Sequence, residues 1–146
     1  MTPNWKDRIL ELKHRTTEAE DAEFVTLVSE ATGKCTYEIA KILMLTFTGD
    51  QDYGVQECVT SVLASAQSEV RARVLLEELP RLLEEAPKWA EDLVGEEVEF
   101  RPLLLASIAK EMSQVVKSDL RRLLTQSSFA KFYPNAEQVM QLLEGE

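Results

Sequence analysis

Apolar residues recur at helical spacing along nearly the whole chain, and the alternation that marks a half-buried strand is almost absent. That pattern restricts the fold to the all-α class. Thr17 with Glu20 three residues later makes a capping box. Phe24, Leu27, Val28 and Ala31 then follow at i, i+3, i+4, i+7, with Gly33 as the expected stop. Before this helix, Trp5, Ile9 and Leu12 predict a shorter one that begins near Asn4.

From Thr36, the residues Ile39, Ile42, Leu43 and Phe47 form a stripe that Ala40, Met44 and Leu45 widen, as expected of a centrally placed helix. Turn-forming residues from Gly49 to Gly54 precede Val55, Cys58, Val59, Val62, Leu63 and Ala66, which completes a helical hairpin. A helix capped by Ser68 follows, with Leu75, Leu76, Leu79, Leu82 and Leu83 in its buried stripe. Pro80 lies inside it and predicts a kink or break. Pro87 starts a short helix bearing Trp89, Ala90, Leu93 and Val94, and Trp89 is assigned to the core.

Gly95 to Phe100 reads as a polar link. Helices are then expected from Pro102, after Ser113, and after Asn135, the last with an Asn135–Gln138 capping box. Phe129 to Pro134 reads as an aromatic connector. The starts at Thr36, Ser68 and Pro102 lie 32 and 34 residues apart, near the length of a helix-pair repeat. An irregular, HEAT-like stack of about eight helices in antiparallel pairs, one domain over residues 1–146, is therefore expected ahead of a closed bundle.

A chain of 146 residues can bury a core without a metal or a disulfide. Its 26 acidic and 16 basic residues leave a formal charge of -10, which argues against binding nucleic acid or an anionic membrane and suits a basic partner. The longest apolar runs, such as Ile42 to Leu45, reach four residues against the ~20 of a spanning helix. The segment Met1 to Lys13 lacks the basic head and apolar run of a secretory signal. Cys35 and Cys58 are too few and too separated for a disulfide framework, so a cytoplasmic location is expected.

No catalytic signature is present. His14 sits between Lys13 and Arg15 with no neighbouring Cys or Asp in sequence, so it is read as a plain exposed histidine. Two separated cysteines and one histidine do not complete a zinc site, and neither metal nor cofactor is expected. An EF-hand frame from Asp50 would place Val55 at the glycine position and Ser61 at the bidentate glutamate position, and so fails. Cys58 falls on an apolar stripe and reads as a small packed hydrophobe.

Charge distribution is more informative than its total. Residues 1–48, 49–100 and 101–146 carry -2, -9 and +1, so the middle third holds almost all of the imbalance. There Glu84, Glu85, Glu91, Asp92, Glu96, Glu97 and Glu99 face Lys88 alone. These acids either solvate helix faces or form a docking surface for a basic protein. With Asp50, Asp52 and the loop residue Tyr53, a candidate anchor, they make up the expected partner-binding set. A buried Tyr53 capping the hairpin is the other reading of that residue.

Leu79-Pro-x-Leu-Leu83 followed by Pro87-x-Trp-Ala90 within Glu77 to Val94 resembles the central segment of the Immunity protein 30 family. The resemblance extends in layout from about Thr36 to Leu124. It implies a cytosolic, non-enzymatic protein that binds the C-terminal domain of a polymorphic toxin stoichiometrically, with Leu79, Pro80 and Trp89 as scaffold. Many such toxins are nucleases with basic channels, which an acidic surface can cover. The alternative is a non-catalytic helical adaptor or regulatory subunit that holds a basic protein or peptide.

Overall fold

Side-chain caps and prolines set half of the helix starts in the computed structural model, which describes residues 1–145. Asn4, left-handed at φ 59°, leads into α1 (Trp5–Glu11), and a 3₁₀ turn follows at Leu12–His14. Thr17 and Glu20 form the reciprocal capping box of α2 (Glu18–Ser29). The turn after α2 closes at Gly33, where φ is +75°. Thr36 accepts a hydrogen bond from the Ile39 amide at the start of α3 (Tyr37–Leu45), and α4 (Glu57–Leu63) completes the hairpin.

Helix α5 (Ser68–Glu85) contains Pro80 and does not break there. Its buried stripe, Val74, Leu75, Leu76, Leu79 and Leu82, offsets the one hydrogen bond that the proline removes. Helix α6 (Pro87–Phe100) corrects the expected polar link, because residues 95–100 are helical to the end. Of these residues Glu96, Glu99 and Phe100 face outward, while Gly95, Glu97 and Val98 are buried. The stop comes from Pro102, which disfavours helical backbone at Arg101 (φ -142°, ψ 51°) and itself opens α7 (Pro102–Lys110).

Ser113 caps α8 (Gln114–Leu124) by accepting from the Val116 amide. The aromatic segment holds a short helix, α9 (Ser127–Phe132), where a connector was expected. Asn135 precedes α10 (Ala136–Glu144) without a side-chain cap, since its Nδ2 donates to the Glu99 carbonyl at 3.3 Å. The described residues thus form ten α-helices, one 3₁₀ turn and no strand. The three starts that suggested a repeat, Thr36, Ser68 and Pro102, do coincide with the beginnings of α3, α5 and α7.

Two compact units divide between Val74 and Leu75, inside α5. In the first, α1 packs on α2 and α3, and α2 on α4, around Ile9, Phe24, Leu43 and Phe47. Trp5 is buried with its indole nitrogen donating to the Leu27 carbonyl at 2.7 Å. In the second, α10 packs against α6, α7, α8 and α9, most extensively against α7. Its core holds Leu79, Leu82, Val94, Leu105, Leu120 and Val139.

Candidate partner-binding groove

The expected binding residues fall into two groups with different surroundings. In the first unit, a charged network organises the loop between α3 and α4. Arg15, whose side chain is 3% exposed, donates to Asp21 at 2.9 Å and to Asp52 at 2.5 Å, with its guanidinium 4.0 Å from the Phe24 ring centre. Asp52 also accepts from the Gln56 amide at 3.0 Å, and buried Gln56 holds the Thr48 amide and the Asp50 carbonyl. Asp52 is therefore a tether of the loop. Asp50 is exposed and lies 2.6 Å from His14 Nδ1, so the histidine has a carboxylate neighbour 36 residues away that sequence proximity did not reveal.

The same network presents Tyr53, which is 91% exposed in a left-handed conformation (φ 56°). Of its two readings, the exposed one holds. Cys58 is half-buried, and burial pushes its thiol up to about 11, far from the nucleophilic thiolate range. Burial raises the Cys35 thiol as well.

In the second unit, Glu84, Glu85, Glu96 and Glu99 are exposed, and Glu91 and Asp92 are half-buried. Glu97 is not part of this surface. It is 2% exposed and grips Arg101 through two hydrogen bonds of 3.0 and 2.8 Å, which hold the arginine above its ordinary value. Lys88 is bound to Asp92 at 3.0 Å, and its ammonium is likewise raised by that bond.

Glu91 and Lys88 line two adjoining grooves. One, about 460 Å³, also meets Leu83, Asp119, Arg122 and Leu123; the other, about 320 Å³, also meets Asp92, Phe129, Phe132 and Tyr133. The Tyr133 ring centre lies 4.8 Å from that of Phe129 and 6.2 Å from that of Phe132. Burial and the negative charge of Asp92, then of Glu91 and Glu96, hold the Tyr133 phenol above its ordinary value against the opposing pull of Lys88.

Gly95 explains how the aromatics reach α6. A Cβ at that position would stand 2.2 Å from the Tyr133 ring, so the ring lies directly on the helix backbone. Glycine inside a helix costs about 1 kcal/mol relative to alanine, and here that cost is exchanged for close packing. No family model, curated protein or solved structure matches the chain. The groove's chemistry therefore rests on its own residues.

Phe132, Tyr133 and Asp119 were absent from the sequence-derived set. The spacing of Phe129, Phe132 and Tyr133 was visible, but it signals a buried helical face as readily as a groove wall. Trp89, expected in the core, is half-buried. Among the described residues, no three His, Cys, Asp or Glu side chains are grouped to hold a metal, and no helix is long and apolar enough to cross a membrane.

Proposed function

We propose that this chain is an immunity-type inhibitor, a cytoplasmic, non-enzymatic protein that neutralises a bacterial toxin domain by covering it stoichiometrically with an acidic surface. The carrying observation is that six of the seven carboxylates between Glu84 and Glu99 reach the surface, two of them at an aromatic groove. Like-signed carboxylates on one side of an interface speed encounter with a basic partner and disfavour acidic competitors. A nuclease-type toxin domain, basic where it holds phosphates, is the partner that this surface fits.

An irregular HEAT-like stack of helix pairs belongs to the same reading, and the spacing of the starts of α3, α5 and α7 along the chain is what supports it. The resemblance around Leu79 to Ala90 fits the same reading. Co-expression with the C-terminal domain encoded by the neighbouring open reading frame tests it. Restored growth and co-purification of the two proteins are expected, and failure of both overturns the reading. Reversing Glu91, Asp92 and Glu96 together, without Glu97, should slow association and flatten its salt dependence.

A further inference from the structure

The groove walls specify more than a negative surface, and what they specify deepens the partner-binding reading on which it rests. Phe132 is 80% exposed, the most exposed large apolar side chain of residues 75–145. It stands beside Tyr133, whose position is set by Gly95 of α6, so one wall of the groove is a supported aromatic surface. The first half of α6 also lines the groove, and there Lys88 is already bound by Asp92. Glu91 forms no ion pair within 4 Å among the described residues; its charge acts on Lys88 only at longer range, which leaves its carboxylate oxygens open to an incoming cation.

Aromatic rings and a carboxylate lining one groove are complementary to a long side chain with a planar cationic head. Arginine fits this better than lysine, because its guanidinium stacks on rings and donates in a fork to a carboxylate. At about 320 Å³ the groove is at the small end of ligand sites, which suits one side chain. We propose that the groove between α6 and the α9 corner receives a single arginine side chain from a basic segment of the partner, stacked on Phe132 and Tyr133 and paired with Glu91.

The test is an NMR titration of the full chain at low salt with acetyl-Gly-Gly-Arg-Gly-Gly-amide and with versions carrying lysine, norleucine or glutamate at the centre. Saturable shifts of the Gly95 amide and the Phe132 and Tyr133 rings are expected with arginine, smaller ones with lysine, and none with norleucine or glutamate. Phe132→Ala and Glu91→Gln alter exposed or half-buried positions, and each should weaken the arginine peptide by about 3- to 10-fold. Norleucine binding as well as arginine, or no groove shift with any peptide, overturns the proposal.

Concentration-dependent groove shifts without peptide would place a second copy there and overturn it too. Shifts confined to Glu84, Glu85 and Glu99 that Phe132→Ala leaves intact would remove the arginine anchor while keeping the acidic-surface reading. Failure of toxin co-expression with an intact arginine titration would do the reverse.

Discussion

The loop from Thr46 to Gln56 and the groove beside α6 both hold acidic residues next to an exposed aromatic, yet they use their carboxylates differently. In the loop, Asp52 joins Arg15 and the Gln56 amide, and Asp50 meets His14. At the groove, one carboxylate holds Lys88 and another, Glu91, is left facing it. Charge count alone does not separate these cases. A carboxylate that is already satisfied by a buried cation stabilises the fold, whereas one with no fixed partner is available to a ligand.

The comparison breaks most easily at Arg15. Arg15→Ala removes the cation shared by Asp21 and Asp52 and the group over Phe24, and should cost about 2–4 kcal/mol, reduced below a fully buried pair because Asp21 is partly solvated. Urea unfolding measures it, and a loss under about 1 kcal/mol would mean that the network is not structural. Gly95→Ala should cost about 1–2 kcal/mol, since overpacking against Tyr133 exceeds the gain in helix propensity. Combining it with Tyr133→Ala should cost less than the sum of the two single changes.

Acid titration sharpens the contrast further. Glu20 is held below the ordinary carboxylate range chiefly by the Thr16 amide, Glu23 by Arg8 and Glu30 by the Thr2 hydroxyl, all in the first unit. A depressed folded value contributes stability that is complete above the unfolded value and is lost as pH falls through the folded one. Stability followed against pH should therefore decline below about 4.5. Glu20→Gln with Glu23→Gln should make that decline shallower; an unchanged slope would assign it to other groups. The smallest effect belongs to Glu84→Gln with Glu99→Gln on the exposed surface, within about 0.5 kcal/mol of the parent by thermal unfolding.

Much of the local structure was readable residue by residue. The Thr17 box, the Thr36 and Ser113 caps and the prolines opening α6 and α7 act within one helical turn, so sequence neighbours suffice to find them. Distant residues decide the rest. The Asn135 side chain turns to the Glu99 carbonyl, 36 positions away, and Arg15 finds Asp52 37 positions on. The groove that α9 borders is lined by Tyr133, whose ring meets Gly95 of α6, a contact that no local pattern specifies.

Glu96 and Glu97 show where the division lies. Sequence periodicity determined the helical class, most helix starts and the concentration of negative charge in the middle third. It treated these two glutamates alike. Adjacent helical residues differ in direction by about 100°, and tertiary packing decides which direction is inside. Glu96 therefore stays exposed and Glu97 is buried, although both reach Arg101, at 3.8 and 2.8 Å. Periodicity is a property of the chain, but which of two neighbouring charges is buried is set only when the helices pack.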